Sequence, residues 1–462
     1  MAMRILRKFK LKSSAAPEYT NWREYQDWLK QKQKPANGRR WLLVTVAAGV
    51  LMAGALLAMG NLSSSAGSRS ATDPPVARIL KEDLLISKKD VHILLEHAGG
   101  RDLLSKQIDL PFKNQPIRIE TSLDPDLQSH LIQAMDRKNS RFIGIVAMQA
   151  DTGRVQALAG FNKMEPDHNP CLSNTFPAAS IFKIVTAAAA VDHCGYRANT
   201  SLRFNGYKHT LYKKQLKEYN NRYTNTITFE DSFAQSVNPV FGKIGALYLD
   251  RSALQAYAAA FGFNQPVDFE LSVGPSHVRI DEDAYQRAEI ASGFNNDTKI
   301  SPLHAAMMAA TVLNQGRIIV PSVVDRITDD QGRLLYGAKP SWQGRAMSSK
   351  ASKVLARMME TTVQSGTGRK AFRSRRRNNV LAKLDIGCKT GSIDNRSHDV
   401  RFDWFVGFAK EKNGSGGLVV AVLVAHEQYI GVRAAQYAKM AMTRYFENKF
   451  AQRTTGQPSS GS

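Results

Sequence analysis

From Trp41 to Gly60 the sequence runs WLLVTVAAGVLMAGALLAMG without one charged side chain. About 20 apolar residues are enough to cross a bilayer as an α-helix, so this run predicts a single N-terminal transmembrane helix. It also fixes where the rest of the chain can fold. The residues before it are polar and basic, with Arg4, Arg7, Lys8, Lys10, Lys12, Arg39 and Arg40. A basic flank stays in the cytoplasm, which puts everything after Gly60 on the extracytoplasmic side. A cleaved signal peptide is the rival reading, but both the charged region and the apolar run are too long for one. The expectation is a cytoplasmic basic arm over residues 1–40, a retained anchor over 41–60, and folded structure outside the cytoplasmic membrane.

Composition narrows the partners. The 462 residues are 43% hydrophobic, a globular value, and 63 basic against 40 acidic side chains leave a net charge of +23. That surplus suits an anionic surface such as a membrane or a negatively charged wall polymer. It is spread along the chain with no nucleic-acid-binding motif, so no nucleic-acid partner is expected. The three cysteines, Cys171, Cys194 and Cys388, are too few for a disulfide scaffold and lack metal-ligand spacing, so neither a metal nor another cofactor is expected. Cys171 and Cys194 could pair in an oxidising compartment or be two unrelated thiols.

Residues 61–111 read as a Ser/Gly-rich linker, Asn61 to Asp73, followed by a small stalk. One large domain over 112–451 and a disordered tail over 452–462 complete the division. Ile117 to Lys138 predicts a strand and then a helix capped near Ser122 or Asp124. Phe142 to Gly160 predicts a hairpin turning at Asp151-Thr152-Gly153. Ser201 to Thr228, with KHTLYKKQLKEYNNRYTN at its centre, is either a solvated excursion or a wall of a substrate groove. Two helices split by Ser236-Val237-Asn238-Pro239 follow, with Pro239 in the first turn of the second. The run with Arg373, Arg375, Arg376 and Arg377 reads as a solvated loop, with a site for anionic polymer or lipid head groups as the alternative. Strands are expected over Val380 to Ser392, Phe402 to Ala409 and Gly417 to Ala425. An amphipathic helix over Ala434 to Phe450 then covers one sheet face. Strands from both ends with helices between predict an α+β fold: a central antiparallel sheet of about five strands, flanked by helices and carrying a helical subdomain.

The chemistry centres on FPAASIFKIVTAAAA, Phe176 to Ala190. This stretch predicts a helix entered through a Pro-bearing turn, with Ser180 near its first turn. Residues at i and i+3 share a helix face, so the Lys183 ammonium can reach the Ser180 hydroxyl. Serine needs a neighbouring base to attack, and burial lowers a lysine's pKa enough to make it one. Taken alone, S-x-x-K has the bland reading of an ordinary helix start with serine as its cap.

Two further motifs change its standing: Ser236-Val237-Asn238 and Lys389-Thr390-Gly391. The ordered set S-x-x-K, S-x-N, K-T-G resembles the signature of serine penicillin-recognising enzymes. The chain therefore resembles the transpeptidase domain of penicillin-binding proteins, over roughly Ile117 to Phe450. GTG at Gly366 to Gly368, ASGFNNDTKISPLHAAMMAA at Ala291 to Ala310 and DWFVGFA after the K-T-G support it. The resemblance implies that Ser180 is the nucleophile on peptidoglycan stem peptides ending in D-Ala-D-Ala, with β-lactams as inhibitors. It implies Lys183 as base, Ser236 as proton shuttle, and Asn238, Lys389, Thr390, Gly391 and Ser392 as substrate-binding residues. Backbone N–H groups of Ser180 and Ser392 would form the oxyanion hole.

Four positions depart from the family pattern. Ala178-Ala179 stands where Pro-Gly is usual and is expected to stiffen the start of the helix; Pro239 and Cys388 are less usual neighbours. No glycosyltransferase signature appears, so a monofunctional, membrane-anchored enzyme with a separate glycan polymerase as partner is expected. The rival functions are a D,D-carboxypeptidase or β-lactamase using the same acyl-enzyme, and a non-catalytic sensor of β-lactam or wall peptide.

Overall fold

Near the C-terminus, side chains of one strand alternate between two cores. Val419, Ala421 and Leu423 join one hydrophobic cluster while Val420, Val422 and Val424 join another. Successive strand residues point to opposite faces, so a run apolar at every position marks a strand buried on both sides. That strand lies at the centre of the fold. A computed structural model describes residues 86–97, 105–112, 115–412, 414 and 416–455, all within one compact unit, Asp73–Ser462.

The main sheet has five strands: β3 (Ser140–Gln149), β4 (Val155–Asn162), β7 (Leu384–Asp394), β8 (Arg401–Glu411) and β9 (Gly417–His426). Their order is β7-β8-β9-β3-β4 and every pairing is antiparallel. The predicted β3–β4 hairpin and the three C-terminal strands are thus present. β3 from the front of the domain pairs with β9 from its end, closing the sheet around the helical segments between them. One face packs on α2 (Pro125–Gln133) and α9 (Ala434–Thr455), through Leu127, Leu131, Tyr437 and Ala441. The other packs on α7 (Pro302–Leu313) and on the helix Ser349–Gln364, and α3 (Lys183–Asp192), buried along most of its length, lies against that second helix. At about 25 cal/mol per Å² of apolar surface, burying these Ala-, Val- and Leu-rich faces supplies the dominant stabilising term.

Caps delimit the helices. The Asp124 carboxylate accepts from the N–H groups of Asp126 and Leu127 at the start of α2, as the sequence suggested. Ser301 and Ser348 cap α7 and α8 (Ser349–Gln364) in the same way.

A second sheet was not foreseen. Strands β1 (Gln107–Phe112), β2 (Gln115–Thr121), β5 (Val324–Thr328) and β6 (Leu334–Gly337) form it in the order β1-β2-β5-β6. Helix α1 (Lys88–His97) buries Val91, Leu94 and Leu95 in the main core. The expected boundary between residues 111 and 112 falls inside β1, and the segment read as a stalk packs against the domain. Short strands with polar outer faces leave little periodicity to read, and the pairing that joins the two hairpins, β2 with β5, spans about two hundred residues of sequence. The expected arm over residues 1–40, the anchor over 41–60 and the linker Asn61 to Asp73 lie outside the described residues, as do residues 456–462 of the expected disordered tail, whose first residues, 452–455, instead continue α9. Among the described residues no helix is long and apolar enough to cross a membrane.

Candidate active site

The turn that carries Ser180 is held from two sides. Ala178 N–H donates to the Thr298 carbonyl at 2.8 Å, and the Trp404 indole donates to the Pro177 carbonyl at 2.9 Å. Ala179 to Phe182 form a 3₁₀ turn that leads into α3 at Lys183. In a 3₁₀ turn residues i and i+3 eclipse, which sets Ser180 and Lys183 one above the other.

Ala179 has φ +48°, the left-handed region. A side chain there costs about 1–2 kcal/mol, whereas glycine would be free of the penalty. This is the structural meaning of the departure from Pro-Gly: the turn is strained as well as stiff. Its neighbours make room for it. A Cβ on Gly293 would come within 1.9 Å of the Ala179 carbonyl oxygen, and one on Gly391 within 3.2 Å of the Ser180 nitrogen. Both glycines let backbone approach backbone around Ser180.

Lys183 is completely buried. Its Nζ lies 2.8 Å from Ser180 Oγ and 2.8 Å from Asn238 Oδ1, and also donates to the Ser292 carbonyl. Two of these partners only accept, while the hydroxyl can also donate. A neutral amine therefore fits without loss: its two N–H bonds go to Asn238 and Ser292, and its lone pair faces the Ser180 proton. Burial first, and the nearby charge of Lys389 second, hold the Lys183 pKa well below that of an ordinary lysine.

The second motif sits on the turn between α4 (Phe229–Ala234) and α5 (Asn238–Lys243), with Pro239 in the first turn of α5 as predicted. Ser236 adopts φ +56°. Asn238 is fixed at both ends, its N–H donating to the Lys208 carbonyl at 2.6 Å and its Nδ2 to the His209 carbonyl at 3.0 Å.

The third motif lies on β7, an edge strand of the main sheet. Lys389, also fully buried, donates to Ser236 Oγ at 2.9 Å and to the Thr390 carbonyl at 2.7 Å. Burial lowers its pKa to about 7. No carboxylate pairs with either lysine among the described residues, which leaves burial free to act. The Thr390 hydroxyl donates to Thr367 Oγ1 at 2.6 Å, drawing the GTG segment into the site.

Seven of the eight predicted residues thus converge through direct contacts: Ser180, Lys183, Ser236, Asn238, Lys389, Thr390 and Gly391. Ser392 is adjacent on β7, but its exposed hydroxyl donates to Asp403 Oδ1 at 3.2 Å rather than standing free. Sequence reasoning did not assign roles to Ser292, Gly293, Thr367 or the carbonyls of Lys208 and His209. The first three lie in stretches quoted above as supporting echoes; nothing in the sequence signals the last two. Cys171, Cys194 and Cys388 are free thiols. Among the described residues no group of His, Cys, Asp and Glu gathers into a metal site.

With this geometry in hand, comparison with known proteins is decisive. Residues 143–443 match the family model of the penicillin binding protein transpeptidase domain. The chain belongs to this family. It is 26% identical over 299 residues to penicillin-binding protein 4 of Bacillus subtilis, covering 63% of this chain and 42% of that protein. It is 23% identical over 354 residues to the peptidoglycan D,D-transpeptidase PbpA of Mycolicibacterium smegmatis, covering 66% of this chain and 67% of the relative. The chain therefore spans less than half of the first relative and about two thirds of the second. Among solved structures, PBPA from Mycobacterium tuberculosis superimposes with TM-score 0.59 at 21% identity, over 71% of this chain and 82% of that one. The D,D-transpeptidase domain of a peptidoglycan glycosyltransferase from Eggerthella lenta gives 0.58 at 23% identity, over 73% and 83%. At these identities the likeness establishes a shared fold.

Proposed function

We propose that this protein is a peptidoglycan D,D-transpeptidase that works through a Ser180 acyl-enzyme. The observation that carries the reading is the arrangement of the Lys183 partners. A buried amine between two obligate acceptors and one hydroxyl is set to take a proton from that hydroxyl and from nothing else. Family membership and the D,D-transpeptidase relatives support the same class of chemistry.

Neutral Lys183 accepts the Ser180 proton as Oγ bonds to the penultimate D-Ala carbonyl of a stem peptide. Charge develops on the carbonyl oxygen, where the N–H groups of Ser180 and Ser392 serve as donors; each such donor is worth about 3–4 kcal/mol in other enzymes. The C–N bond then breaks. The terminal D-Ala leaves as an amine, protonated through Ser236, which can draw on Lys389 at 2.9 Å. An acceptor amine next attacks the ester, a new amide forms, its proton returns through the same hydroxyl chain, and Ser180 is regenerated. Lys389 and the Thr390 hydroxyl favour the substrate carboxylate, and Asn238 binds the peptide while holding Lys183. β-Lactams, as cyclic amides, would acylate Ser180 and remain. The anchored reading puts this chemistry on the outer face of the bacterial cytoplasmic membrane, beside a separate glycan polymerase.

The test is a labelled penicillin added to wild type and to Ser180→Ala. A covalent adduct that persists in the first and is missing in the second is expected. No adduct in the wild type overturns the catalytic reading and favours a non-catalytic sensor. Rapid loss of the adduct shifts the assignment to a β-lactamase, and hydrolysis of stem peptide in the presence of an acceptor amine shifts it to a D,D-carboxypeptidase.

A further inference from the structure

The excursion between Ser201 and Thr228 carries four exposed aromatic rings: Tyr207 at 83% exposure, Tyr212 at 51%, Tyr219 at 44% and Tyr223 at 67%. Rings of this size normally contribute to a core, and their exposure has no structural return. The segment beneath them is rigid. Gln215, almost fully buried, donates to the carbonyl of Asn205 at 2.9 Å and accepts the Tyr212 N–H at 2.9 Å. Asn205, equally buried, donates to the Tyr219 carbonyl at 3.1 Å and accepts from the Thr224 hydroxyl at 2.9 Å. Leu211 and Leu216 pack with Ala288 in a small core of their own. A loop free to fold its tyrosines inward would not need two buried amides to hold it open.

The excursion is also joined to the chemistry. Lys208 and His209 supply the carbonyls that hold Asn238, and the Lys208 ammonium reaches Gln235 Oε1 at 2.5 Å, on the same turn as Ser236. The wall is cationic: Arg222 lies 4.7 Å above the Tyr223 ring, and Lys213 lies 5.4 Å above that of Tyr285.

We infer that this wall is a saccharide subsite that binds the glycan backbone of the polymeric donor while the stem peptide enters the catalytic cleft. A pyranose ring presents apolar C–H groups on its faces and hydroxyls at its rim, and tyrosine matches both with its ring and its phenol. The neighbouring cations suit the carboxylates carried by a stem-bearing strand. Rings and cations together would also suit a single-stranded nucleic acid. The attachment of the wall to Asn238 favours the polymer whose peptide the cleft accepts. The inference rests on the transpeptidase reading above.

The experiment compares the full-length protein in detergent with its Tyr207→Ser/Tyr223→Ser double variant. The reaction of each with labelled penicillin is measured first; it reads the cleft alone and is expected to change less than twofold. Binding is then measured with both forms on a Ser180→Ala background. The probes are stem-bearing glycan chains of a few disaccharides, the same chains stripped of peptide, the stem peptide alone, and an oligonucleotide. Binding of both sugar-containing probes is expected to weaken at least tenfold, with the stem peptide unaffected. Three results overturn the subsite: equal affinities for the glycans, a loss confined to the oligonucleotide, or a parallel loss of penicillin acylation that marks the wall as structural. Absence of penicillin labelling in the unaltered protein would instead overturn the transpeptidase reading.

Discussion

Among the described residues Lys389 has no carboxylate beside it, so the energy of keeping a charge in its buried position falls on the fold. Its pKa is near 7 in the folded chain against 10.5 for the free side chain. At 1.36 kcal/mol per unit, the difference costs about 5 kcal/mol wherever the folded lysine is protonated. The sign follows from proton counts. Between pH 7 and 10.5 the unfolded chain holds this proton and the folded chain does not, so the folded state gains stability as pH rises through that window. Below pH 7 the full penalty applies; above 10.5 it is gone. Lys389→Met keeps the volume and removes the charge. It also loses the bonds to Ser236 Oγ and to the Thr390 carbonyl, which together cost about 2–4 kcal/mol. The variant is therefore expected to be more stable than wild type by about 1–3 kcal/mol at pH 6.5 and less stable by a similar amount at pH 10. Relief of the Lys183 pKa adds in the same direction. Urea unfolding of the compact unit from Asp73 onward, followed at four pH values by the fluorescence of Trp342 and Trp404, measures this directly. The stability difference should change by about 1.4 kcal/mol per pH unit between pH 7.5 and 10. Penicillin acylation should fall at least a hundredfold throughout. Parallel stability profiles would show that Lys389 is not buried as a charge, and the reasoning fails.

Ala179→Gly is expected to relieve the strain at φ +48°, offset by glycine's extra freedom when unfolded, for a net stabilisation of about 1 kcal/mol or less in urea; a loss of stability would mean the turn is unstrained. Gly293→Ala meets both a left-handed φ and a carbonyl 1.9 Å from the new methyl, so a loss of about 2–5 kcal/mol in the same assay, with acylation abolished, is expected. The acylation rate should show an acid limb as Lys183 gains a proton, lying far below the ordinary lysine range because burial depresses that pKa, and a basic limb near pH 7 as Lys389 loses its charge; a single limb near pH 10 would contradict both lysine assignments. Asn238→Ala removes one acceptor from Lys183 and should slow acylation at least tenfold while shifting the acid limb, whereas an unchanged limb would separate Asn238 from the base.

Much of the site was legible because its parts obey local rules. The i, i+3 spacing brings Ser180 to Lys183, a proline in a first helical turn places Ser236 and Asn238 on the preceding turn, and a run of buried apolar residues marks β9. What stayed hidden depends on contacts between distant segments. Nothing near Lys208 or His209 in sequence announces that their carbonyls hold Asn238, because any residue offers a carbonyl. The left-handed φ of Ala179 was equally unreadable, since alanine seldom adopts it. β2 pairs with β1 beside it but also with β5, beyond residue 320, and no local periodicity reaches that far. The resemblance implies that Ser392 binds substrate, yet in the folded chain its hydroxyl bonds to Asp403, a partner visible only once β7 and β8 are in register.

The Ser392–Asp403 contact bears on how the site can work. A hydroxyl that donates to Asp403 has no proton left for a substrate carboxylate, and the Asp403 charge would repel that carboxylate. Thr390 differs, because its partner Thr367 is itself a hydroxyl and can reverse the bond. Substrate carboxylate can therefore be received at Thr390 and Thr367 without breaking an ionic contact, with Lys389 supplying the positive field from beneath. Asp403 is engaged besides by the Ala434 N–H at 3.0 Å, which ties it to the start of α9. Its carboxylate thus holds the far side of β7 against the sheet and leaves Ser392 to contribute through its backbone N–H. On this geometry Thr390→Val should impair recognition of the carboxylate far more than Ser392→Ala. The opposite order in acylation rates would mean that Ser392 leaves Asp403 when substrate arrives.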